Sequence, residues 1–225
     1  MDKLLKFEES LKKAILEKGD EQALESYVKL KSINKLQLWY DYLKIFAFCQ
    51  ALEITNLYDI GCGNLHQALL LSSFSNISYT GIDSEHDFRN LTALFSEFSS
   101  HIKFQQAEYP FEITPPSNNI AISQYALGAL TQMQKSDDSI KNTARALSKD
   151  FERILITINP ECFSIWEAEL ADFNLHILGY DALDGKLDGS IPTVFATKFP
   201  EEINQLIQNQ YNYYNNEYII DFIVL

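Results

Sequence analysis

Along the first 53 residues apolar side chains return at helical intervals. Leu4, Leu11 and Ile15 fall at spacings of seven and four while Lys and Glu fill the opposite face, which predicts an amphipathic helix. Gly19-Asp20 interrupts the run, and Asp20 can cap a second helix. A third helical stretch is dense in large side chains: Leu36, Leu38, Trp39, Tyr42, Leu43, Ile45, Phe46 and Phe48. Such a face either packs onto a main domain or forms an aromatic lid over a ligand. Residues 2–53 are therefore expected to be helical, with 1–53 acting as a lid or cap segment.

From residue 57 the pattern changes to short apolar runs alternating with helical stretches. Strands are expected at Leu57–Ile60, Ser78–Ile82, Ile102–Gln105, Ile120–Ser123 and Ile154–Ile158, with helices at 65–74, 85–98 and 137–149. Strands separated by helices of this length imply parallel βαβ units and a doubly wound sheet. An apolar helix, "FSIWEAELADF", follows, then a strand at Leu175–Tyr180, a loop containing "DGKLDGS" and a strand at Thr193–Lys198 that can close an antiparallel hairpin. The tail reads as a polar helix followed by "EYIIDFIVL", an apolar run that wants a strand partner, either in the same chain or across a homodimer. The expected fold is α/β: a doubly wound, mostly parallel seven-stranded sheet with an antiparallel strand near the C-terminus, preceded by a helical segment. Residues 54–199 form the ligand-binding domain and 200–225 a helix–strand extension of it.

Composition narrows the class. The 225 residues suffice for one large domain, and no apolar run approaches the roughly 20 residues needed to span a bilayer. The opening "MDKLLKFEESLKK" carries acids and does not resemble a signal peptide. Cys49, Cys62 and Cys162 have spacings that make neither a disulfide framework nor a zinc pattern, so a reduced, cytoplasmic protein is expected, with no metal. The net charge of −13, from 18 basic against 31 acidic residues, disfavours nucleic acid, whose binding draws on Lys and Arg at phosphates.

The most informative stretch is "LYDIGCGNLHQALLL", Leu57 to Leu71, where a strand turns into a helix through Gly61 and Gly63. In open parallel sheets ligands lie beyond the carboxyl ends of the strands, so this first turn is where a ligand is expected. Glycines there let a ligand approach the backbone. A dinucleotide asks for G-x-G-x-x-G, but the third position is His66, and Asp59 would repel a pyrophosphate. A carboxylate at Asp59 instead suits a ligand with a cationic end.

These residues resemble the class I S-adenosylmethionine-dependent methyltransferases. "DIGCGN" (Asp59–Asn64) is similar to their first motif, and "YTGIDSE" ends its strand in an acid, Asp83, 20 residues after Gly63, where the family binds the ribose hydroxyls. "FQQAEYPF" resembles the segment along adenine, "AISQYALGAL" the fourth-strand motif beside the methyl group, and "SIKNTARALSKDFERILITINP" the following helix, turn and strand. The likeness spans roughly 55–198. Leu65 departs from it, standing where the family often has a third small residue.

The resemblance implies S-adenosyl-L-methionine as cofactor, held by Asp59, Gly61, Cys62, Gly63, Asp83, Ser84, Glu108, Tyr109 and Gln124. Glu108 would accept from the adenine amino group and Tyr109 would flank the ring. His66 and Tyr125 are the candidate catalytic residues, His66 as a base and Tyr125 as an orienting partner. His86 and the charges of "DGKLDGS" read more simply as solvated surface. The implied function is in-line methyl transfer to a small or medium-sized metabolite. The competing reading is a catalytically inactive relative that works through cofactor binding or protein contacts.

Overall fold

Among the described residues eight strands form one sheet in the order β3-β2-β1-β4-β5-β7-β6-β8. The computed structural model describes residues 9, 12–13, 16–17, 19, 45, 48–63, 77–84, 101–123, 126–127, 137–181, 193–205 and 223–224. The strands are β1 (Asn56–Ile60), β2 (Ser78–Asp83), β3 (Ile102–Gln106), β4 (Asn119–Ser123), β5 (Arg153–Thr157), β6 (His176–Asp181), β7 (Thr193–Thr197) and β8 (Ile223–Val224). Helix α1 (Asp137–Asp150) precedes β5, and α2 (Phe163–Ala171) follows it. The expected helices at 65–74 and 85–98 lie outside the described residues.

Strands β1 to β5 pair in parallel, whereas β7 runs antiparallel to both β5 and β6, and β8 antiparallel to β6. The doubly wound sheet with an antiparallel C-terminal hairpin is as expected, and the tail adds a two-residue eighth strand. Ile223 and Val224 pair with Tyr180 and Gly179 of the same chain, which supplies a strand partner without a second subunit.

The central strands β4 and β5 are buried on both faces, as strands of a covered parallel sheet are, whereas β3 is partly exposed. Side chains alternate along each strand. Ile60, Ile82, Ala121, Ile154 and Ile156 belong to the cluster that packs with Ile140, Ala144 and Leu147 of α1 and with Trp166 and Leu170 of α2. The alternate set, including Leu57, Tyr79, Ile122 and Phe195, is also buried. There the Phe48 ring meets Phe195 edge-on at 4.6 Å. Ile45, Phe48, Cys49, Ala51 and Leu52 are buried, so the end of the N-terminal helical segment is core packing. Of its preceding part, where a lid was expected, only residues 9, 12–13, 16–17 and 19 are described, and all of these are exposed. Among the described residues no helix is long and apolar enough to cross a membrane.

At the amino ends of the strands a charged network locks β4, β5 and β7 together. Arg153 reaches Glu202 at 2.6 Å and Glu152 at 3.2 Å, both pairs largely shielded from water. Glu202 also accepts from the Thr197 hydroxyl at 2.8 Å, and the Arg153 guanidinium lies 4.8 Å above the Phe199 ring.

Candidate functional site

Strand order reverses between β1 and β4, and the carboxyl ends of these two strands open the crevice where such sheets bind ligands. The chain leaves β1 through Gly61 and Gly63, at φ +74° and +49°, conformations that side chains disfavour. The two glycines serve different ends. A Cβ on Gly61 would overlap the Cβ of Ala126, just beyond β4, whereas a Cβ on Gly63 would meet nothing within 4 Å. Gly61 thus closes the turn against β4, and Gly63 leaves backbone open.

The amides of this turn point into the protein. Gly61 and Cys62 N–H both donate to the Ile82 carbonyl, at 2.7 and 3.1 Å, and Gly63 N–H donates to Asp83 Oδ2 at 3.0 Å. A phosphate-binding loop needs such donors for its ligand. Here three of them are already taken, one by a carboxylate.

Asp59 lies beneath the turn, 4% exposed, paired in register with Gly81 on β2 and Ile122 on β4. The Tyr79 hydroxyl donates to Asp59 Oδ2 at 2.7 Å. Burial holds the Asp59 carboxyl up to about 7; the Tyr79 hydrogen bond pulls it down and the Asp83 charge pushes it up. A neutral pH therefore finds this acid poised between its two forms. Cys62 turns its sulfur toward β2, where a Cβ on Gly81 would come within 2.9 Å of it. Burial, followed by the charges of Asp59 and Asp83, pushes the Cys62 thiol far above its ordinary range, so it stays protonated and is no nucleophile.

The structure therefore brings together Asp59, Gly61, Cys62, Gly63 and Asp83. Ser84 follows directly, exposed at the end of β2, and Glu108 is exposed just past β3. Tyr109 is placed otherwise than expected. Its ring is 5% exposed, packed near Phe111 and Phe151, and its hydroxyl donates to Asp150 Oδ2 at 3.0 Å. His66, His86, Gln124 and Tyr125 lie outside the described residues, as does Leu65. Two contributors escaped the sequence reading: Tyr79 and Ala126. The spacing held a signal for the first, since Tyr79 follows Asp59 by the same 20 residues that separate Asp83 from Gly63.

No family model matches the sequence, and no curated protein matches it. Solved structures match by fold. Magnesium protoporphyrin IX methyltransferase ChlM from Synechocystis PCC 6803, with bound SAM, is 12% identical, with a TM-score of 0.55 over 85% of this chain and 97% of that one. The methyltransferase domain of bacterial CtHen1-CN is 13% identical, with a TM-score of 0.55 over 70% of this chain and 97% of that one. The S-adenosylmethionine-dependent methyltransferase SibL in its apo form is 13% identical, with a TM-score of 0.52 over 80% of this chain and 59% of that one. The chain spans only 40% of the length of the WbdD structures it matches. These likenesses show a fold: that of the class I S-adenosylmethionine-dependent methyltransferases.

Proposed function

We propose that this chain, built on the class I methyltransferase fold, binds S-adenosyl-L-methionine at the β1 turn and transfers its methyl group to a small or medium-sized acceptor. The observation that carries the reading is the polarity of the turn. Its three described amides are consumed inside the protein, and two carboxylates, Asp59 and Asp83, stand beneath and beside it. That arrangement repels a pyrophosphate and attracts a cation. Among the described residues Asp59 forms no ion pair, and the reading assigns its charge to the ligand.

When bound, S-adenosylmethionine supplies a methyl group already activated on a sulfonium, for in-line transfer. The chain's share is to bind and orient. Asp59 meets the cationic methionine end. Asp83, which accepts from the Gly63 N–H, would accept from the ribose hydroxyls, and Glu108, exposed just past β3, from the adenine amino group. Gly63 leaves space over the backbone for close approach. The net charge of −13 supports a small acceptor over a nucleic acid. His66 and Tyr125 remain the proposed base and orienting partner for a hydroxyl acceptor, a role that methyl transfer to a better nucleophile does not need.

Calorimetric titration with S-adenosylmethionine, its demethylated product and NAD tests this directly. Micromolar binding of the first two, absent for NAD and lost in Asp83→Ala, is expected. Binding of none, or of NAD alone, refutes the reading; binding without turnover of any acceptor favours an inactive relative.

A further inference from the structure

Tyr79 bonds directly to Asp59, the acid that the cofactor reading sets against the ligand's cationic end. It is fully buried on β2, its ring edge-on to Phe104 at 6.0 Å between centroids. Phenylalanine would fill the same volume, so the hydroxyl calls for its own explanation. It arises from register. Asp59 lies opposite Gly81, and Tyr79, two residues earlier, projects from the same face of β2. With no side chain at Gly81, the long Tyr79 side chain reaches diagonally and places its hydroxyl 2.7 Å from Asp59 Oδ2.

The other described groups around Asp59 do not help it hold a charge. From β2 comes Asp83, a like charge; from the turn comes Cys62, a thiol that also lies against the Tyr79 hydroxyl. From β4 comes the apolar Ile122, and no residue of β4 is charged. Among the described residues Tyr79 is therefore the side-chain donor that favours the ionised carboxylate.

We propose that Tyr79 is a positioning residue of the cofactor site, its hydroxyl clamping Asp59 Oδ2 so that the buried carboxylate ionises more readily and is oriented for the cationic methionine end of S-adenosylmethionine. The proposal rests on the cofactor reading above and deepens it. The ligand selects ionised Asp59, so affinity rises with pH up to the free protein's Asp59 titration and is level beyond it. Removing the hydroxyl removes the hydrogen bond that pulls this titration down, so the break moves to higher pH.

The test compares wild type with Tyr79→Phe in two measurements: the S-adenosylmethionine dissociation constant between pH 5.5 and 8.5, and the carboxyl carbon-13 shift of Asp59 in the ligand-free proteins. In wild type, affinity is expected to weaken by about tenfold per pH unit below the break. In Tyr79→Phe both the binding break and the carboxyl titration should move up together, with binding roughly five- to tenfold weaker at pH 7 and converging on wild type as the pH rises. An unmoved break, or a loss of affinity equal at every pH, overturns the proposal while leaving the cofactor reading intact. Failure of wild type to bind at any pH overturns both.

Discussion

Replacing Asp59 with asparagine tests the electrostatics of the site without any ligand. The folded protein holds this carboxyl up to about 7, chiefly through burial, against 3.8 for a free carboxyl. Between those values the unfolded chain has lost the proton and the folded chain keeps it, so the native state binds more protons and its stability falls as pH rises. Below pH 4 both states are protonated and the group costs nothing. Above pH 7 both are ionised and the cost is constant. Three units correspond to about 4 kcal/mol, and relaxation around the charge brings the expected figure to roughly 2–4 kcal/mol.

In Asp59→Asn the new amide oxygen would still accept from Tyr79, and there is no charge to bury. The variant's stability relative to wild type therefore carries a constant offset plus a part that grows with pH. Urea unfolding followed by the fluorescence of Trp166, fully buried on α2, reads that difference at pH 5, 6, 7 and 8. Asp59→Asn should gain on wild type by about 2–3 kcal/mol between pH 5 and pH 8, since about two of the three units lie in that interval. Groups that titrate in both proteins cancel. A difference constant to within about 0.5 kcal/mol refutes the argument that a buried, poorly compensated carboxylate sits under the turn. Saturating S-adenosylmethionine should flatten the wild-type decline, because a bound cation favours the ionised form.

The two turn glycines should part company. Gly61→Ala carries an unfavourable φ and the overlap with Ala126, and should cost about 2–5 kcal/mol in urea unfolding, part of it recovered by Ala126→Gly. Gly63→Ala, with open space at its Cβ, should cost only about 1–2 kcal/mol in stability but weaken cofactor binding by calorimetry. At the other end of the sheet, Arg153→Met leaves Glu202 buried without its partner and should cost about 3–5 kcal/mol by the same unfolding assay. The double variant Arg153→Met/Glu202→Leu should recover much of that loss; no recovery would mean that the pair contributes through more than mutual neutralisation.

The strands were legible because a covered sheet demands apolar runs of one length, and "LYDI", "SYTGI" and "IAIS" have no other good use. The antiparallel hairpin followed from two such runs with no helix between them. What the sequence could not convey depends on register. That Tyr79 meets Asp59 requires knowing that Asp59 stands opposite Gly81, and that Gly61 must lack a Cβ requires knowing that Ala126 crosses beside it. The burial of the Tyr109 ring was hidden for the same reason. Position along the chain put Tyr109 beside Glu108, but the chain turns its ring into the core, where Asp150 at the end of α1 takes the hydroxyl. Adjacent residues past a strand end face opposite ways, and only packing decides which one meets the ligand.

Among the described residues charge at the two ends of the sheet is handled in opposite ways, and the contrast supports the proposed ligand site at one of them. At the amino ends, Arg153 is surrounded by Glu202, Glu152, Asn118 and the Asn119 carbonyl, and Glu202 is further met by Thr197. Each buried charge there has its counterpart in the chain, which is what a structural lock requires. At the carboxyl ends, Asp59 and Asp83 raise each other's cost, and Asp59 has a phenol where an ion partner would stabilise it more. A fold under selection for stability alone would replace such an acid, since an apolar or amide residue costs less to bury. A cation that binds only the folded state offsets the cost by mass action, and it restores at the turn the neutrality that Arg153 supplies at the opposite edge.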